Sequence, residues 1–181
     1  MKFLRPILIG LLLMLPSSVT SAESLLPEYE IKAAFIYNFG KFIEWPEMVS
    51  GPSAPEYFHI CILGKDPFGE KMNEIEGKTI KGLTVKVSRA SSIEEILDSP
   101  GCRVLFISDS EKNRLADILG KIKKYPILTV ADLENAMDLG VMINLRTLGD
   151  RIRFEINLKA ASNAGIKINS KMLKLAVKIT E

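Results

Sequence analysis

Four short apolar runs alternate with helix-start signals along the middle of this chain, and that alternation limits the folds open to it. The runs are Tyr57 to Leu63, Leu83 to Val87, Val104 to Ile107 and Pro126 to Val130. Their length and β-branched content predict buried strands. Asp66 before Pro67 predicts a helix reaching about Ile75, with Asp as cap and Pro in the first turn. Ser92 with Glu95 forms a capping box for a helix ending before Pro100. Ser110 opens a helix through about Lys123, with Leu115, Ile118, Leu119 and Ile122 at helical spacing, and Asp132 caps a short helix to Leu139. Such alternation requires a mostly parallel sheet with helices on both faces and right-handed crossovers.

The pattern then changes. Val141 to Leu145 and Ile152 to Ile156 flank Gly149-Asp150 and predict an antiparallel hairpin. Asn157 caps a short helix that Gly165 ends, and Asn169 or Ser170 caps a last helix with Met172, Leu175, Ala176 and Ile179 as its apolar stripe. The expected fold class is α/β. It is a single three-layer domain whose mostly parallel central sheet of about six strands ends in a hairpin.

An aromatic-rich segment precedes the sheet and is expected to pack on it as a helix. Glu28 to Pro46 carries Tyr29, Phe35, Tyr37, Phe39, Phe42 and Trp45, which are six of the chain's 13 aromatic residues. Pro46 is expected to stop the helix at Trp45. Ile31, Phe35, Phe39 and Phe42 fall on one side and are expected in the core. The apolar residues together cover more than one face, as in a helix buried on several sides. A core role and a partner surface are both compatible with this. Tyr29, Tyr37, Lys41 and Trp45, nearer the edges, are the expected partner-binding residues.

Met1 to Ala22 has the form of a signal peptide, with Lys2 and Arg5, an apolar stretch over Ile7 to Leu15, and small residues before a cut near Ala22. An uncleaved anchor is the alternative. The expected organisation is a leader over 1–22 and one domain over 23–181, exported to the periplasm. The whole chain has 24 basic and 22 acidic residues; the leader holds two of the bases and none of the acids, so 22 of each remain. No net charge steers the mature chain to nucleic acid. Cys61 and Cys102 are the only cysteines. In an oxidising compartment such a pair is a disulfide candidate, with two buried thiols as the alternative.

Sequence signals for catalysis are sparse. His59, the only histidine, lies within an apolar strand. There is no G-x-S-x-G, no phosphate-binding loop and no G-x-G-x-x-G. Asp66, Asp109 and Asp132 each follow a strand at its carboxyl end, where open α/β sheets bind ligands. Helix capping accounts for them without a metal, so neither metal nor cofactor is expected. A small-molecule pocket at this edge would use Asp66, Asp109, Arg153 and Asn157, with Arg151 and Glu155 on the same strand as the last two.

The run from Tyr29 to Pro46, Y-E-I-K-A-A-F-I-Y-N-F-x-K-F-I-E-W-P, resembles the opening signature of the YfiR family of periplasmic regulators. Four later stretches are similar to that family in the same order. They are G-x-D-P-F-G over Gly64 to Gly69, L-F-I-S over Leu105 to Ser108, P-x-L-T-V over Pro126 to Val130, and Arg153 to Ala176. The resemblance implies a non-enzymatic α/β regulator that dimerises. It implies binding to, and repression of, the periplasmic sensor domain of an inner-membrane diguanylate cyclase. An OmpA-like outer-membrane lipoprotein is implied as a second partner that raises cyclic di-GMP and favours biofilm. Members tied to that role carry a second cysteine pair near the last hairpin; here Met137, Met142 and Asn144 occupy that region. The rival expectations are a small-ligand sensor serving another system, such as a histidine kinase, and an enzyme of unrecognised type using His59 or Asp109.

Overall fold

The computed structural model describes residues 25–46, 55–98 and 101–181. The expected leader and most of the turn-rich link after Pro46 lie outside the described residues. Helix α1 (Leu25–Phe42) is followed by the two-residue strand β1 (Ile43–Glu44). Next come β2 (Tyr57–Leu63), α2 (Glu70–Asn73), β3 (Thr79–Ile80), β4 (Leu83–Ala90) and α3 (Ile93–Asp98). Then follow β5 (Cys102–Ile107), a 3-10 helix (Asp109–Arg114), α4 (Leu115–Ile122), β6 (Leu128–Ala131) and α5 (Ala136–Leu139). The chain finishes with β7 (Ile143–Leu148), β8 (Arg151–Asn157), α6 (Leu158–Asn163), β9 (Lys167–Ile168), α7 (Ser170–Leu173) and β10 (Lys178–Thr180).

The main sheet has eight strands in the order β10-β8-β7-β6-β5-β2-β4-β3. The pairs β4/β2, β2/β5, β5/β6 and β6/β7 are parallel. The hairpin β7/β8 is antiparallel, with Leu145 opposite Phe154 and Asn144 opposite Glu155. The expected α/β class and parallel centre are therefore present. The sheet is wider than expected because two short strands extend its edges. β3 turns back on β4, and β10 joins β8 in parallel. After β2 the chain first crosses to β4 on one side and then returns to β5 on the other, which places the topological switch point at the carboxyl end of β2.

Each sheet face has its own core. Phe58, Ile60, Ile62, Val104, Phe106 and Val130 pack under Ala33, Ile36 and Phe39 of α1. Cys61, Leu63, Leu105 and Ile107 pack against Ile93, Ile96, Leu115 and Ile118 on the opposite face. Gly40 lets α1 press onto the sheet, since a Cβ there would lie 2.9 Å from Ile80 and 3.1 Å from the Phe58 ring.

Several local expectations change. α1 ends at Phe42, because Ile43 and Glu44 pair with Ile168 and Lys167 and the Asn169 N–H donates to the Phe42 carbonyl. Strand pairing thus ends the helix before Pro46 can. Asp66 does not open a helix; its Oδ1 accepts the Phe68 N–H at 2.7 Å in a turn, and α2 starts only at Glu70. Ser110 starts no continuous helix either, since the chain runs as a 3-10 helix to Arg114. The last helix stops at Leu173, and Ile179 lies in β10 instead of on a helical stripe. By contrast, Ser92 and Glu95 do form a capping pair, with the Glu95 N–H donating to Ser92 Oγ at 3.3 Å. Asn157 caps α6 by accepting the Ala160 N–H at 2.9 Å.

Cys61 and Cys102 form a disulfide between the neighbouring strands β2 and β5. In β7, within the last hairpin, Asn144 is almost fully buried. Its side-chain oxygen accepts the Leu133 N–H at 3.1 Å, and its side-chain amide donates to the Leu133 carbonyl at 2.9 Å. This paired hydrogen bond clamps the loop after β6 to β7 without a covalent link.

The disulfide closes a loop of 41 residues, worth about 4 kcal/mol in the chain-entropy treatment. Replacing both cysteines with Ala is expected to lower the melting temperature by roughly 10 °C, read by differential scanning fluorimetry. A change under about 1 °C would show that the bond contributes nothing to stability.

Candidate functional site

Gly64, at the end of β2, starts the loop that forms one wall of the switch-point crevice. Its φ is +89°, and a Cβ there would sit 2.3 Å from Ser110 Oγ, so no other residue fits. The two sides of the crevice are stitched together. Ser108 Oγ donates to the Lys65 carbonyl at 2.6 Å, and the Lys65 N–H donates to Ser110 Oγ at 2.9 Å. Between them is a recess of about 410 Å³ lined by Tyr29, Lys65, Asp66, Pro67, Ser108 and Asp109. A second recess of about 460 Å³ shares Tyr29 and Asp109 and extends to Lys32, Asp132, Glu134 and Arg146.

The first turns of α1 close this crevice from one side. Lys32 is buried, and its ammonium lies 2.7 Å from Asp132 Oδ2 and also pairs with Glu28. The Tyr29 hydroxyl donates to the same Asp132 oxygen at 2.9 Å, while its ring meets Phe68 edge-on at 5.4 Å. Thr147 Oγ1 donates to Glu28 at 2.7 Å, bringing β7 into the cluster. Burial, and then the Asp132 carboxylate, raise the Tyr29 phenol above its ordinary range. Burial also pushes Glu28 upward, but the hydrogen bonds from Lys32 and Thr147 and the Lys32 charge outweigh it and hold the carboxyl below its ordinary range.

Of the four residues expected to share a ligand pocket, only Asp66 and Asp109 meet. Asp66 and Asp109 line the first recess. Asp66 is taken up by the Phe68 N–H and by the Arg89 guanidinium at 2.6 Å. Asp109 is exposed and 3.5 Å from Lys112. Arg153 lies on β8 opposite Arg146 and lines neither recess. Asn157 is at the far end of β8, where it caps α6 and donates to the Met137 carbonyl at 3.2 Å. The hairpin runs antiparallel, so the carboxyl end of β8 points away from the crevice. Asp132, expected to cap a helix, instead receives Lys32 and Tyr29, and Asn135 precedes α5. Among the described residues no group of three or more His, Cys, Asp and Glu is placed to hold a metal. His59 is half-buried on β2, and burial, then the nearby Lys86 charge, lower its pKa.

The expected partner-binding residues are also dispersed. Tyr29 is tied into the crevice. Tyr37 and Lys41 sit together on one flank of α1, the Lys41 ammonium 4.0 Å from the Tyr37 ring centre and the Tyr37 hydroxyl donating to the Thr79 carbonyl. Trp45 lies past the helix with its ring edge-on to Phe58 at 5.4 Å. The opposite flank is exposed where the sequence pattern placed core residues. Ile31 is 45% exposed and Phe42 37% exposed, so neither is core. Phe35 lies between them, half-buried against Phe39 and Phe154. The buried stripe runs instead through Lys32, Ala33, Ile36, Phe39 and Gly40. Lys32 disguised it, because a cation within it makes the neighbouring all-apolar stripe look like the inward one.

These features define an open α/β domain with an aromatic helix laid across one face and an apolar flank of that helix left in solvent. A family model described as YfiR/HmsC-like matches residues 29–177. The chain belongs to the YfiR/HmsC-like family, whose members are periplasmic, non-enzymatic regulators in the diguanylate cyclase pathway. Among the described residues no helix is long and apolar enough to cross a membrane.

Removing Lys32 leaves two carboxylates facing each other with no cation between them. Lys32→Met is expected to cost about 3 kcal/mol in chemical denaturation, the usual cost of breaking a buried pair from one side. Loss below about 0.5 kcal/mol would show the pairing to be incidental. Glu28 has a lowered folded-state pKa. Its contribution is therefore complete above the ordinary glutamate pKa and is lost as pH falls through the lowered folded value. Glu28→Gln should flatten the acid limb of a stability-versus-pH curve, and an unchanged limb would contradict this assignment.

Proposed function

We propose that this protein binds the periplasmic sensor domain of an inner-membrane diguanylate cyclase and holds the enzyme off, keeping cytoplasmic cyclic di-GMP low. Cleavage near Ala22 releases residues 23–181 as one domain in the periplasm. The contact is the outward flank of α1, formed by Ile31, Phe35 and Phe42. The supporting observation is that a helix otherwise committed to the core leaves Ile31 and Phe42 in solvent on one side. Large apolar and aromatic residues grouped on a surface are the usual centres of protein–protein contacts.

The same reading includes a homodimer and an OmpA-like outer-membrane lipoprotein that sequesters the regulator and so releases the cyclase. The alternative of a small-ligand sensor at the switch-point crevice, serving a histidine kinase, has less support. Asp66 and Asp132 there are already held by the chain's own donors. Chemistry by His59 has less still, since it lies mid-strand beside Tyr57 and under the influence of Lys86.

The test is titration calorimetry of the exported chain against the isolated sensor domain. Ile31→Glu and Phe42→Glu replace exposed residues and should keep the circular dichroism spectrum and melting temperature. Each is expected to weaken binding by roughly tenfold or more, as for an interface anchor. If both variants bind the sensor domain like the unaltered protein, the α1 flank is not the contact. If the unaltered protein does not bind at all, the proposed partner is wrong.

A further inference from the structure

Arg103 is the extra residue of a β-bulge. His59 stands opposite Cys102 and Ile60 opposite Val104, so Arg103 has no partner in register on β2. A bulge of this kind re-aims a side chain. Here it leaves Arg103 lining a recess of about 240 Å³ near the amino ends of β5 and β6, with Leu97, Cys102, Tyr125, Pro126 and Ile127.

Nothing in the recess answers the charge. Among the described residues no carboxylate lines it, and the Nε–H of the half-buried Arg103 is itself buried with no hydrogen-bond partner. Burial alone lowers the pKa of this guanidinium, with no neighbouring acid to raise it. Arginine cannot escape by releasing its proton, because its pKa stays far above physiological pH. The buried Nε–H of this half-buried cation is a donor without a partner, and an anion in the recess can satisfy it.

The shape of the recess narrows the class of anion. A single planar guanidinium matches the two oxygens of a carboxylate, fork to fork. A phosphate, with nearly two charges, would want further donors, and the other named walls are a disulfide sulfur, aliphatic side chains, a proline and the Tyr125 ring. Tyr125, one of the lining residues, is 45% exposed.

We propose that this recess binds a small carboxylate with an apolar or aromatic body, anchored by the Arg103 guanidinium. It lies at the opposite end of the parallel strands from the switch-point crevice, and none of its lining residues belongs to α1. The inference is therefore independent of the partner contact proposed above.

The experiment uses benzoate as probe and benzamide as its uncharged counterpart, at matched ionic strength, on the exported chain. Benzoate at about ten times its Kd should raise the melting temperature by roughly 3 °C, while benzamide leaves it unchanged. In a 15N-labelled sample the Arg103 Nε–Hε resonance should move in step with benzoate addition. Arg103→Gln should abolish the stabilisation. The proposal is overturned if that resonance stays fixed through the titration, if the two probes behave alike, or if Arg103→Gln binds benzoate as well as the unaltered protein. The first two readouts use the unaltered protein, so they decide the matter even if the variant does not fold.

Discussion

The ammonium of Lys32 fixes how α1 lies on the sheet. It is buried on the helix face that meets the sheet, in the first turns of α1, and reaches Asp132 at the carboxyl end of β6. A buried cation is tolerated only with its anion in place, so the rotation of the helix about its own axis is set by that pair. Once it is set, Ala33, Ile36 and Phe39 must point inward, and Ile31 and Phe42 must point out. The aromatic contacts then follow: Phe39 and Phe35 both reach Phe154, at 5.1 and 5.7 Å, and Tyr29 reaches Phe68. A polar interaction has thus decided which apolar residues are available to a partner.

The same interaction explains the character of the switch-point crevice. Open α/β sheets present ligand sites at this location, and here the location is recessed. Its polar groups are largely spent on holding the protein together. Ser108 and Ser110 bind the loop after β2, Asp66 supports a turn and Arg89, and Asp132 anchors α1. A position that other folds of this architecture use for chemistry serves here as the seat for a helix. That is consistent with a family of regulators and not of enzymes.

The sheet was largely legible because its signals are local. β2, β5 and β6 are nearly continuous apolar runs, as strands buried on both faces must be, and Gly149-Asp150 marks the hairpin. The capping residues Ser92 and Asn157 were legible for the same reason. What could not be read depended on partners distant in sequence. α1 ends at Phe42 because residues 167 to 169 meet it there. β10 is a strand only because β8 offers it an edge; Leu175 to Ile179 have helical spacing but nothing to pack a helix against. Asp132 resembled a cap until Lys32, 100 residues earlier, arrived beside it. Ile31 and Phe42 read as core residues for this last reason, since an amphipathic pattern assumes that a charge faces water.

The Cys61–Cys102 bond joins the two strands on either side of the switch point. In covalent terms it makes residues 61–102, which carry α2, β3, β4 and α3, a closed ring hanging from the centre of the sheet. A single cut by an envelope protease anywhere within that ring opens it but detaches nothing, because the two ends remain joined through sulfur. The half of the sheet beyond β2 is therefore protected against loss by cleavage as well as by packing. β7, β8 and β10 on the other side of the sheet have only their hydrogen bonds and their core to hold them. Protease damage to this molecule is thus asymmetric: a cut on one side leaves a nicked but intact chain, and a cut on the other can release a piece of it.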